Sequence, residues 1–127
     1  MALNQFGAVM TFAIELENSL ADFYLQASQI DNENKEEYQK RAKDAKSRKK
    51  KLEKSRRENV TEIILEPIEG LNQSDFSLDL NNFESENIKL IEKTVARFFE
   101  LAHQKINVLE AKRILQRCAK QHFTYIE

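Results

Sequence analysis

The sequence predicts an all-α fold, a four-helix bundle with a long connection between its second and third helices, on three observations. Only two Gly and one Pro interrupt 127 residues, of which 41% are hydrophobic and 32% charged, a composition that suits amphipathic helices in a water-soluble domain. Four stretches place apolar residues at three- and four-residue steps, and the segment between the second and third does not. One segment also recurs at an offset of 75 residues: Glu17-Asn18-Ser19-Leu20-Ala21-Asp22-Phe23-Tyr24 and Glu92-Lys93-Thr94-Val95-Ala96-Arg97-Phe98-Phe99. Each copy reads Glu, a small or apolar residue at +3, Ala at +4 and an aromatic pair at +6 and +7, which points to an internal duplication. A chain of this length is read as a single domain, residues 1–127, large enough for one core.

The first helix is expected over about 4–30, where Phe6, Met10, Ala13, Leu16, Leu20, Tyr24 and Ala27 repeat at helical spacing. Polar residues Asp31 to Asn34 break it, and Asn34 with Glu37 forms a capping-box pattern that opens the second helix, 34–58. The inward face of that helix is thin, being Tyr38, Ala42, Ala45, Lys49 and Leu52, and its long cationic side chains must reach outward. Over 59–84 the pattern changes to a crossover. Val60 to Leu65 is rich in β-branched residues and Phe76 to Leu80 alternates apolar with polar, so this region has room for two short strands. Its Leu71, Phe76, Leu78 and Leu80 need burial, which argues against a disordered linker. Ser85 is placed to cap the third helix, 85–105, and Asn107 with Glu110 to open the fourth, 107–126.

On a helix, positions 0, +4 and +7 lie within about 60° of one another. Glu17, Ala21 and Tyr24 therefore share one face, as do Glu92, Ala96 and Phe99. A carboxylate on an otherwise apolar face is costly unless something pairs with it. The duplicated pattern resembles the first helix of each half of the ferritin-like and rubrerythrin-like four-helix bundles. The resemblance implies an up-down-down-up bundle, whose parallel second and third helices require a long crossover. It also implies a pair of irons held by one inward Glu from each of two helices and a Glu-x-x-His from each of the other two.

The remaining ligands of that pattern are missing. In the family's second helix an aromatic residue is followed by Ala at +4, Glu at +7 and His at +10. Counting from Tyr38 gives Ala42, then Ala45 in the Glu position and Arg48 in the His position. The matching window of the fourth helix, Cys118-Ala119 and Gln121-His122, also lacks a Glu. Two carboxylates and one imidazole supply too few anionic oxygens for an iron pair. The expected arrangement is that Arg48 pairs with Glu17 or Glu92, because a guanidinium matches a carboxylate and stays charged when buried. The sharper alternative is a single Fe, Mn or Zn ion held by Glu17, Glu92 and His122. Tyr24 and Tyr38 are further hydrogen-bonding candidates for the same carboxylates. The one Glu-x-x-His, Glu100 to His103, lies elsewhere: His103 is eleven residues past Glu92, about 16 Å along a helix.

Charge is segregated. Lys40 to Arg57 holds eleven basic residues against two acidic ones, and Glu58 to Glu86 holds eight acids and no base. A basic helix and an acidic crossover can neutralise one another, and the overall charge of −1 weighs against nucleic acid as the partner. A polyanion-binding face made of Lys43, Lys46, Lys50, Lys51, Lys54 and Arg57 is the competing reading. No apolar run approaches the roughly 20 residues that span a bilayer, and Phe6 to Ile14 lacks the basic flank of a signal peptide. The single Cys118 excludes an internal disulfide and the four-cysteine rubredoxin module, reads as a small buried apolar residue, and fits a reducing cytoplasm.

Together these readings give a non-catalytic ferritin-like binding or interaction module without cofactor, forming a homodimer through Phe76, Leu78, Leu80 and the aromatic C-terminus. A residual Fe, Mn or Zn redox protein and a nucleic-acid-associated bundle are the two alternatives.

Overall fold

The structure, a computed structural model, describes residues 3, 5–59 and 68–126. Among those residues are four α-helices, α1 (Phe6–Ile30), α2 (Lys35–Glu58), α3 (Ser85–Lys105) and α4 (Leu109–Thr124), with a 3-10 turn at Gln73–Phe76. No strand occurs among the described residues. The Val60 to Leu65 stretch lies outside them. No helix of the described residues is long and apolar enough to cross a membrane.

Phe76 to Leu80 is not a strand. The chain turns over Asn72 to Asp75, where the Asp75 N–H donates to the Asn72 carbonyl at 3.1 Å, and Ser77 Oγ then donates to the Ser74 carbonyl at 3.1 Å. A period of two with no partner strand beside it leaves the backbone groups to these local bonds. The turn inserts Phe76 between Phe12 and Phe98, at ring-centroid distances of 6.5 and 5.2 Å. Just before it, Gly70 adopts φ +85°, a left-handed conformation that glycine takes without strain. The chain thereby returns Leu71 to the core, and its carbonyl accepts the Leu3 N–H at 2.9 Å.

The helix starts differ from the capping patterns. Asn34 precedes α2, yet its side-chain Nδ2 donates to Asp31 Oδ2 at 2.8 Å and its oxygen accepts no N–H of the helix. Asp31 organises that turn, since its Oδ1 also accepts the backbone N–H groups of Glu33 and Asn34. Ser85 is the first residue of α3, following Glu84, and α4 begins two residues after Asn107, behind Val108; neither helix has a side-chain cap.

Packing follows the apolar stripes. Sequence-adjacent helices form the two closest pairs, α1 with α2 and α3 with α4, while α2 also meets α4 and α1 meets α3. The inward face of α2 is Tyr38, Ala42, Ala45, Arg48, Leu52 and Ser55. Arg48, not Lys49, takes the fourth position. Lys49 reaches outward to Asn18 Oδ1 at 3.0 Å. Ala42 and Ala45 are 1% and 0% exposed, so small side chains let α2 lie close against its neighbours. Both copies of the repeated motif turn one face inward: Glu17, Ala21, Tyr24, Glu92, Ala96 and Phe99 are all buried.

Candidate functional site: a buried ion-pair cluster

Each helix contributes to one polar cluster in the apolar interior. Glu17 comes from α1, Arg48 from α2, Glu92 from α3 and His122 from α4, and all four are buried. The His122 imidazole lies between the carboxylates, with Nε2 2.9 Å from Glu17 Oε2 and Nδ1 2.6 Å from Glu92 Oε2. One flat face of the ring stacks on Phe99, at 5.5 Å and 7°. Arg48 Nε donates to the same Glu17 Oε2 at 2.8 Å. The hydroxyl of Tyr24 donates to Glu92 Oε1 and itself accepts from Arg41 Nη1 at 3.3 Å.

The geometry suits a doubly protonated ring. A neutral imidazole carries one N–H, so it cannot donate to two carboxylates at once; an imidazolium can. Burial, the largest single effect, disfavours the charged ring. Glu17 and Glu92 outweigh it and hold His122 above its ordinary pKa. Burial likewise pushes Glu17 up, but His122 and Arg48 reverse that and hold its carboxyl below the ordinary value. Two carboxylates thus meet one imidazolium and one guanidinium, which leaves the cluster neutral. Tyr24, desolvated and facing Glu92, is held well above its ordinary pKa and remains a donor.

The outer side of Arg48 extends the network. Its Nη1 donates to Gln121 Oε1 at 2.5 Å and to the Tyr125 hydroxyl at 3.0 Å, and that hydroxyl donates to Asp44 Oδ2 at 3.0 Å. The Arg41 guanidinium lies 4.6 Å from the centre of the Tyr125 ring. Two buried atoms of the cluster have no hydrogen-bond partner among the described residues: Glu17 Oε1 and Arg48 Nη2.

The structure therefore brings together Glu17, Glu92, His122, Arg48 and Tyr24. Tyr38 stays outside the hydrogen-bonded set and packs its ring 5.8 Å from that of Tyr24. Lys43, Lys46, Lys50, Lys51, Lys54 and Arg57 are all exposed. His103 sits away from the cluster, 3.2 Å from Glu100 on its own helix. Sequence reasoning passed over Arg41, Gln121 and Tyr125 as cluster members. A signal was present in spacing for Arg41, two turns before Arg48; for Gln121 and Tyr125 it depends on how α2 packs on α4.

The donor set does not fit an iron pair or one shared ion. Glu17 and Glu92 occupy opposite nitrogens of one ring, so a metal on either nitrogen would reach only one of the two carboxylates through that bond. A guanidinium also lies against Glu17. Among the described residues no group of three or more His, Cys, Asp or Glu is arranged to hold a metal. The ion pairs of the basic helix are local or internal: Lys40 with Asp44, Arg41 with Glu37, Lys54 with Glu58, and Arg48 with Glu17. None joins it to the described crossover acids Glu69, Asp75, Asp79 and Glu84; Glu62 and Glu66 lie outside the described residues. The chain matches no family model, no curated protein and no solved structure.

Proposed function

We propose that this chain is a ferritin-like, up-down-down-up bundle, with a crossover joining α2 to α3, whose iron centre has been replaced by an internal ion-pair cluster. It acts as a non-catalytic binding or interaction module. One observation carries the reading: the His122 imidazole lies between Glu17 and Glu92, with Arg48 on Glu17. Two cations supply the positive charge that a metal would supply to two inward carboxylates, and they do so with directed hydrogen bonds. The matched placement of Glu17 and Glu92 in two similar segments supports the ancestry. Elemental analysis of the purified chain is expected to find no stoichiometric metal. Stoichiometric Fe, Mn or Zn that disappears in Glu17→Gln/Glu92→Gln would instead establish the residual metalloprotein.

The module is further proposed to work as a homodimer. Phe76 is buried within the chain and Leu78 and Leu80 pack against its core, so the crossover is no longer the argument for a dimer. Leu90, Leu109 and Phe123 are exposed instead. Light scattering at micromolar concentration returning the monomer mass would remove this part of the reading. The basic face of α2 favours one other function, nucleic-acid association, because its five lysines and one arginine named above point to solvent. Binding to duplex DNA that is insensitive to salt, or absent at low salt, would exclude it.

A further inference from the structure

A second feature lies on the outer side of Arg48, between α2 and α4. Six residues line a cleft of about 240 Å³: Arg48 and Lys51 from α2, and Ile114, Arg117, Cys118 and Gln121 from α4. Three of the six are cations and none is an acid. Arg48 and Lys51 are one turn apart on α2, as are Arg117 and Gln121 on α4, so each helix presents its pair to the same space. Arg48 already balances Glu17 through Nε. The surplus positive charge comes from Lys51 and Arg117, which are exposed and make no ion pair among the described residues.

The lining supplies donors of the kind that bind an oxyanion. Arg48 has engaged Nε and Nη1, whereas its buried Nη2 has no partner. The residue is 3% exposed. A guanidinium presents its N–H groups as a fork that matches the oxygens of a phosphate or carboxylate. The carbonyl oxygen of Gln121 is taken by Arg48 Nη1 at 2.5 Å, which leaves the Gln121 amide NH₂ as a further donor. Cys118 adds no negative charge, because burial holds its thiol well above the ordinary pKa. The cleft volume falls below the roughly 300–1,000 Å³ of pockets for drug-sized ligands, which favours a small anion.

We propose that this cleft, with Lys51, Arg117, Arg48 and Gln121 as donors, binds a phosphate-class oxyanion, either free or as a phosphoryl group on a larger molecule. The inference rests on the lining of the cleft and not on the ancestry of the buried cluster. A phosphate there would bridge α2 and α4 through Lys51 and Arg117, beside Arg48.

Calorimetric titration of the full chain with inorganic phosphate, at fixed ionic strength, tests it. Saturable binding of one phosphate per chain is expected. Lys51→Gln/Arg117→Gln alters only exposed side chains, so the variant keeps its fold, and it should bind about tenfold more weakly or not at all. Lys43→Gln/Lys50→Gln removes the same charge from another face of α2 and should change affinity by no more than about twofold. Glycerol 3-phosphate separates the two sources. Tighter binding of the monoester, lost in the same variant, assigns the cleft to a phosphoryl group on a larger molecule; tighter binding of inorganic phosphate assigns it to the free ion. Absence of saturable binding to both probes overturns the proposal. An equal loss in Lys43→Gln/Lys50→Gln does so too, since it would mean diffuse attraction to a basic helix.

Discussion

His122 owes its charge to having a carboxylate at each nitrogen, and that links stability to pH in a stated direction. Its folded pKa is raised above the reference 6.5, so its contribution is complete below pH 6.5 and is lost as pH rises through the folded value. Glu17 is lowered from the reference 4.5, so its contribution is complete above pH 4.5 and is lost as pH falls through its folded value. The window between those references should be the most stable. Thermal melts of the wild-type chain should decline on the alkaline side, and His122→Gln should flatten that decline. A wild-type profile that rises from pH 6.5 to 9 would contradict the imidazolium. Arg48 offers the sharper mutational test. Arg48→Ala leaves the cluster one negative charge in excess, and breaking a buried pair typically costs about 3–5 kcal/mol. Glu17→Gln in the Arg48→Ala background removes the excess charge and should recover much of the loss in a denaturation series. Lys50→Ala, on the exposed side of the same helix, should shift stability by less than about 0.5 kcal/mol.

At the scale of the element, α2 is the helix whose packing is least forgiving. The middle of its inward face is Ala42 and Ala45, which are 1% and 0% exposed, so there is little room for a larger side chain. Ala45→Leu should therefore cost about 1–3 kcal/mol by overpacking, read as a lower denaturant midpoint at unchanged slope. Lys46→Leu, one residue on and exposed, should not. The helices themselves were legible because apolar periodicity is a property of the chain: α3 lies at 85–105 as the pattern indicates, and α1 and α2 differ from it by one or two residues at their starts. The helix starts were not, because a capping box needs the Asn side chain to be free, and Asp31 holds that of Asn34. Among the site residues, the repeated motif marked Glu17 and Glu92 as inward without any knowledge of their partner. Tyr125 and Gln121 could not be assigned the same way. Their role depends on how far around α4 the Arg48 side chain reaches, and that is set by the packing of α2 on α4.

At the scale of the whole molecule, the central question is whether four helices are held at their polar core by protons or by a metal, and the two differ in linkage. A ligand that binds only the folded chain raises its stability, by about 2.7 kcal/mol at one hundred times its Kd. For a chain of this size that corresponds to an upward shift of roughly 5–15 °C in Tm. The ion-pair cluster forecasts no such shift when Zn²⁺, Mn²⁺ or Fe²⁺ is added, and no fall in Tm when a chelator is added. The pH at which this is measured decides how strong the test is. Below the folded pKa of His122 both ring nitrogens carry protons, so a metal must displace one of them, and its binding is weakened in proportion. Above that pKa one nitrogen is free of its proton, and a metal competes only with Arg48 for Glu17. Titrations below pH 6.5 and well on its alkaline side therefore compare a more with a less protonated ring. Flat melts at both values are the expected result. A metal-induced rise at both would overturn the account of the core, because a competent metal site would then outcompete the imidazolium even where the ring is charged. A rise at the alkaline value alone would also overturn it, since Arg48 would have failed to keep Glu17 from acting as a ligand. In that case Arg48→Ala should strengthen the metal-induced rise, whereas an ion-pair core predicts that the same variant is destabilised and remains indifferent to metal.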